Sequence, residues 1–251
     1  MEHLYVITGA SRGLGAAIAA QLLGPGNTVL GVSRRTDDGL DARAAAAGAI
    51  CEQWTADLAA PADVAKRLQA WLAAFDTQRF HRVALINNAA MLTRTGHVED
   101  CEDADLVSAL RVGLEAPVLL SAALLRATRG WRARKQILNI SSGLGRRAMA
   151  GQASYCAVKA GLDNFSRALA LDEALRDNGA TVVSLAPGVI DTDMQVQLRG
   201  AETAGFPEKA FFVGLKKQGQ LSSPEAAAAR VIAYLNRGDF GANPVADVRD
   251  T

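Results

Sequence analysis

The feature that most restricts the fold of this chain is a steady alternation of short apolar runs with longer stretches of helical pattern. The segments "LYVIT" (4–8), "TVLGVS" (28–33), "ICEQWTA" (50–56), "RVALIN" (82–87), "QILNIS" (136–141) and "TVVSLA" (181–186) predict buried strands, and "NPVADV" (243–248) a short last one. Between them, residues 14–23, 41–48, 61–75, about 103–128, about 153–177 and 224–236 read as helices, with Pro61 at a helix start and Gly48 at a helix end. Strands joined by helices of this length make right-handed parallel crossovers with helices on both faces of the sheet. The expected fold class is therefore α/β, a Rossmann-type doubly wound parallel sheet, in a single domain over residues 1–251. The least regular segment, 188–222, is too long for a plain connection and is expected to be a substrate lid.

Charge and cysteine usage narrow the function. The formal net charge is +1, and the basic clusters Arg34–Arg35, Arg146–Arg147 and Lys216–Lys217 are only pairs, so no nucleic-acid partner is expected. Cys51, Cys101 and Cys156 are far apart and lack CxxC spacing, which predicts reduced thiols and a cytoplasmic protein. His3, His81 and His97 form no pair at metal-ligand spacing, so no metal site is expected. The N-terminus carries Glu2 and lacks the apolar core of a signal peptide, and no unbroken apolar run reaches the roughly 18 residues of a membrane span. No membrane partner is expected.

Five stretches carry chemistry. In "TGASRGLG", Gly9, Gly13 and Gly15 stand between the first strand and the first helix, where glycines let the backbone approach a pyrophosphate at the helix's positive end. At the end of the second strand, Ser33, Arg34 and Arg35 replace the acid that usually bonds an NAD ribose. Guanidinium groups there suit a 2′-phosphate, and Arg12 can add a second fork, so NADP(H) is favoured over NAD(H). Asn87 and Asn88 in "LINNAA" can bond backbone and hold the cofactor's ribose, although two asparagines after a strand also mark an ordinary turn. Finally, Ser142 in "NISSG" precedes Tyr155 by 13 residues, and "SYCAVKAG" puts Lys159 four residues after Tyr155, on the same helix face. Such a pair is either a surface contact or a phenol made acidic by an ammonium.

Together these residues resemble the short-chain dehydrogenase/reductase family. The matching motifs are "TGASRGLG", "NNAA", "ISSG", "YCAVK" and "PGVIDT", in the family's order and spacing over essentially the whole chain. "PGVIDTDMQVQLR", "LKKQGQLSSPEAAA" and "VADVRD" further resemble its sepiapterin-reductase-like branch, in particular the bacterial benzil reductases that form (S)-benzoin. The resemblance implies Tyr155 as proton donor, Lys159 as the cation that lowers its pKa and bonds the nicotinamide ribose, and Ser142 as the group that polarises the carbonyl. It implies further cofactor contacts from Ser11, Leu14, Asp57, Leu58, Ala89, Pro187, Gly188, Val189 and Thr192, as well as from Tyr155 and Lys159. The implied activity is NADPH-dependent reduction of a small-molecule carbonyl, a vicinal or aromatic diketone such as benzil. A 3-oxoacyl reductase, another alcohol dehydrogenase and a catalytically idle NADP(H)-binding regulator remain open at this point. The resemblance also implies a homodimer or homotetramer. Leu144, Met149, Val189 and Met194 are expected to line an apolar pocket. Two positions depart from the family pattern: Gly113 stands where asparagine is usual, which should favour a bend, and Ala90 replaces a glycine.

Overall fold

Successive side chains of a strand point to opposite sides, and the central strands here are apolar on both. In the first strand, Tyr5 and Ile7 join one core cluster while Leu4 and Val6 join another. Such strands need helices above and below. A computed structural model, describing residues 1–250, shows this arrangement. Seven strands, β1 (His3–Thr8), β2 (Asn27–Ser33), β3 (Ile50–Thr55), β4 (Arg82–Asn87), β5 (Arg134–Ile140), β6 (Thr181–Ala186) and β7 (Val245–Asp247), form one sheet in the order 3-2-1-4-5-6-7. Every pairing is parallel.

Helices α1 (Gly13–Gln21), α2 (Leu40–Ala47), α3 (Pro61–Ala73), α4 (Asp103–Leu110), α5 (Ala116–Thr128), α6 (Ala153–Ala174) and α9 (Pro224–Leu235) follow the pattern read from sequence. On one face, Ile18 of α1 and Leu22 at its C-cap meet Val231 and Leu235 of α9. On the other, Leu68 and Leu72 of α3 meet Leu120 and Leu124 of α5. The direction of strand order reverses between β1 and β4, which opens a crevice at their carboxyl ends.

Two elements differ from the sequence reading. The segment 188–222 is only partly irregular: it holds α7 (Asp193–Gly200) and α8 (Lys209–Lys217), helices of eight and nine residues, each too short to show more than about two turns of period. The helix over 103–128 is continuous in direction but widens into a π turn at Arg111–Glu115. An 18-residue stretch within Asp103–Thr128 has a mean hydropathy of 1.5, apolar and long enough to cross a membrane. In this fold its second half is a core helix, with Ala116, Leu120, Ala123 and Leu124 buried.

At the amino end of β5 the packing is polar. Glu173, 4% exposed, accepts two bonds from Arg129 at 2.8 and 3.0 Å and one from the Ala180 amide at 2.9 Å, tying the ends of α5 and α6 to β6. Burial pushes the Glu173 carboxyl up, but these donors outweigh it and hold it below the usual value. The pair's stabilisation is therefore present above the ordinary carboxylate range and lost as pH falls through the folded value. Because Arg129 is 40% exposed, Glu173→Gln should cost about 2 kcal/mol, less than a fully buried pair. Urea denaturation should show this loss at neutral pH and a shrinking difference in acid; equal midpoints at neutral pH would refute it.

Candidate active site

The crevice begins with the glycine turn after β1. Gly9 and Gly13 have φ of +69° and +55°, a region that penalises any side chain. A Cβ on Gly15 would lie 2.1 Å from the Gly9 carbonyl oxygen and 2.5 Å from Asn88 Nδ2, so only glycine lets α1 start this close to the turn. The turn is clamped by the end of β4. Asn88 Nδ2 donates to the Thr8 carbonyl at 3.0 Å, and Thr8 Oγ1 accepts the Asn88 and Ala89 amides at 3.0 Å each. The first turn of α1 has no acidic residue and its N-cap, Arg12, makes no side-chain cap, which leaves the helix's positive end available to an anion. A glycine cradle of this shape fits a dinucleotide pyrophosphate.

The remaining predicted cofactor residues surround that cradle at the carboxyl edge. Ser33 ends β2 with a buried Oγ that has no partner among the described residues, and Arg34 and Arg35 follow it, both exposed. Ser11 is half-buried in the turn, whereas Leu14 and Leu58 face the core and offer backbone only. Asp57 is exposed and accepts the Ala59 amide at 2.9 Å. Pro187, Gly188 (φ +82°) and Val189 leave β6, and Thr192 begins α7, its methyl 3.4 Å from where a Gly13 Cβ would stand. Arg12 departs from expectation. It bonds Asp193 of α7 at 2.6 Å, joining the glycine turn to the expected lid rather than standing free as a phosphate fork. Asn87 also departs. It is buried and donates to Asn139 Oδ1 of β5 at 2.8 Å, because its side chain points into the sheet's interior while that of Asn88 points to the turn.

Ser142, Tyr155 and Lys159 converge beside this edge. Ser142 follows β5 and accepts the Leu144 amide at 3.2 Å, shaping the turn at Gly143–Gly145. Tyr155 and Lys159 stand one turn apart on α6. Lys159 is 2% exposed, donates to the Ile140 carbonyl at 2.7 Å, and lies 5.5 Å from the Tyr155 ring centroid. Burial pushes the Tyr155 phenol up to about 12, opposed in part by its hydrogen bond with Ser142. Burial brings the Lys159 ammonium down to about 8, with Asp163 opposing that fall. The expected lowering of the phenol's pKa by the ammonium is thus absent in the free protein, where desolvation of both groups dominates. The half-buried Tyr155 ring packs against an apolar cluster of Leu92, Leu144, Met149, Leu198, Phe206 and Phe212, with Met194 also at its margin. Leu144, Met149 and Met194 were expected there. Val189 is not part of it, and the phenylalanines come from the segment 188–222, where no motif signalled them.

The profile of the short chain dehydrogenases matches residues 3–203. The chain belongs to the short-chain dehydrogenase family. It is 32% identical over 235 residues to the benzil reductase ((S)-benzoin forming) of Bacillus cereus, covering 94% of each chain. It is 34% identical over 200 residues to the 3-oxoacyl-[acyl-carrier-protein] reductase FabG of Escherichia coli (strain K12), covering 80% of this chain and 78% of that one. The crystal structure of the KRED1-Pglu enzyme superposes with a TM-score of 0.79 at 26% identity, covering 97% of this chain and 99% of that one.

In this short-chain dehydrogenase the π turn is packed tightly against a neighbouring helix. Gly113 is buried in it, and a Cβ there would lie 2.4 Å from Val158 Cγ1, next to Lys159 on α6. Val158 thus occupies the volume that a side chain at position 113 would need. A β-branched neighbour cannot rotate away easily. Gly113→Ala should therefore lower stability by roughly 1–3 kcal/mol, and Val158→Ala in the same chain should recover part of that loss. Thermal melts of the two variants would decide; a Gly113→Ala protein as stable as the parent would contradict the contact.

Proposed function

We propose that this oxidoreductase is an NADPH-dependent carbonyl reductase acting on an apolar vicinal or aromatic diketone such as benzil. The observation that carries the reading is the Tyr155 phenol, one turn from the buried Lys159 and packed against an apolar cluster at the same sheet edge as the glycine cradle. The benzil-reducing relative matches along 94% of this chain, lid included, which favours a diketone over the 3-oxoacyl thioester of the relative that matches 80%.

In this reading the backbone of Gly9–Gly15 holds the pyrophosphate, Ser33, Arg34 and Arg35 hold the 2′-phosphate, and Lys159 and Tyr155 bond the nicotinamide ribose. When bound, NADPH supplies the hydride and, once oxidised, a positive charge beside the phenol. Ser142 donates a hydrogen bond to the substrate's carbonyl oxygen and fixes its position. Tyr155 gives its proton to that oxygen, and the Lys159 ammonium steadies the phenolate left behind. The apolar cluster excludes water from the carbonyl, and α7 and α8 form the lid over it. Exposed Val107 and Leu110 on α4, with Leu171 on α6 and Leu175 just past its end, support a homodimer or homotetramer built on the helices that follow β4 and β5.

Three measurements bear on this. Tyr155→Phe should reduce NADPH-driven benzil reduction at least about a hundredfold while NADPH affinity stays within a few-fold; retained turnover would exclude the phenol as acid. Replacing Arg34 and Arg35 by alanine should weaken NADPH binding far more than NADH binding, and equal losses would remove them from the 2′-phosphate. With Lys159 at about 8 in the free protein, kcat/KM should fall as pH rises above that value and the ammonium is lost. A profile flat to pH about 9.5, well past the lysine's own value, would argue against a required charge.

A further inference from the structure

One buried charged group near the site has no role in the mechanism above. Asp163 is fully buried on α6, one turn beyond Lys159, so that Tyr155, Lys159 and Asp163 form a single column along the helix. Its Oδ1 accepts from Ser141 Oγ at 2.5 Å and from Ser184 Oγ of β6 at 2.6 Å, and its Oδ2 from Arg146 Nε at 3.4 Å. Ser141 immediately precedes Ser142, and Arg146 ends the turn that follows it, so the carboxylate grips the Ser142 segment on both sides. The grip is close. A Cβ on Gly145 would lie 2.6 Å from Asp163 Oδ2 and 2.9 Å from the Lys159 carbonyl, so the segment lies flat on α6 only because that residue is glycine.

We infer that Asp163 is a positioning residue for carbonyl reduction: it locks the Ser142 segment to the helix that carries Tyr155 and Lys159, and supplies the negative charge beneath the lysine. The inference rests on the proposed roles of Ser142, Tyr155 and Lys159. A buried carboxylate accepting from two hydroxyls and a guanidinium fixes three elements at once, and its removal leaves all three donors unpaired. The other groups around Lys159 do not duplicate its charge. Tyr155 is a neutral phenol on the same helix, Ser142 a hydroxyl from the β5 side, Ser184 a hydroxyl from β6, and the π turn packs Gly113 and Leu114 against α6. Arg146 is cationic and is shared with the carbonyl of Ala246, while Asp247 of β7 lies beyond it and is paired with Arg249.

The test is Asp163→Asn, which keeps the shape and removes the charge, alongside Ser141→Ala, which keeps the charge and removes one bond. Both are assayed with NADPH and benzil, with NADPH affinity measured separately and with amide hydrogen exchange followed on the cofactor-free protein. Asp163→Asn should lower kcat roughly tenfold or more and move the alkaline limb of the kcat/KM profile about one pH unit toward acid, since the lysine loses its proton more readily without the carboxylate. Exchange should accelerate in residues 140–147 and not in β1. Ser141→Ala should lower kcat and accelerate the same amides while leaving the limb in place. An Asp163→Asn protein with parental kcat, limb and exchange would overturn the inference, as would parental kcat and exchange in Ser141→Ala should Asp163→Asn fail to fold. Loss of activity in Tyr155→Phe together with a silent Asp163→Asn defeats this inference alone, whereas an active Tyr155→Phe defeats the reading beneath it.

Discussion

The whole arrangement depends on one geometric constraint: every strand runs the same way, so β1, β2, β4, β5 and β6 all release the chain at a single edge. Parallel pairing requires a crossover after each strand, and right-handed crossovers alternate faces only where the strand order reverses. That reversal lies between β1 and β4. The loops that leave these two strands therefore meet without a helix between them, and Thr8 and Asn88 can bond across the gap. The glycine turn is held by its neighbour strand as much as by its own sequence.

The second requirement is that α6 be fixed against the sheet, because it carries the phenol and the ammonium. Apolar packing alone leaves a helix free to slide along a smooth surface. Here two polar chains prevent it. One runs from Asn87 of β4 through Asn139 of β5 to Ser166 of α6 and on to the Leu162 carbonyl. The other joins Asp163 to Ser141 and Ser184. Hydrogen bonds in a buried setting are directional and costly to break, so they set register where dispersion cannot. The same burial raises the phenol and lowers the ammonium, which leaves the free site holding its proton on the phenol.

Much of this was legible in the residues. Strand and helix order followed from periodicity, and β4 and β6 were bounded at the residues observed, because each is an apolar run between polar turns. The glycine turn, Ser142, Tyr155 and Lys159 were visible as spaced motifs. Helices α7 and α8 were not, since at eight and nine residues each shows only about two turns of period, and their placement is shaped by contacts such as Arg12 with Asp193 and the ion pair of Lys216 with Asp191. The structural use of Asn87 was not legible either: adjacent asparagines look alike in a sequence, and only the pleat sends one inward and the other to the turn. Gly113 read as a bend, but the reason for glycine lies on another helix, at Val158. The direction of the pKa shifts required burial, which no motif states.

The most direct test of the central claim is a crystal structure of the protein with NADP⁺ and benzoin. The account requires the ligand's hydroxyl oxygen to lie within hydrogen-bonding distance, about 3 Å, of both the Tyr155 and Ser142 hydroxyls, with the dinucleotide laid across Gly9–Gly15 and its 2′-phosphate near Ser33 and Arg34. A ligand bound elsewhere, or a Tyr155 ring turned away from it in a complex that still turns over, would contradict the account.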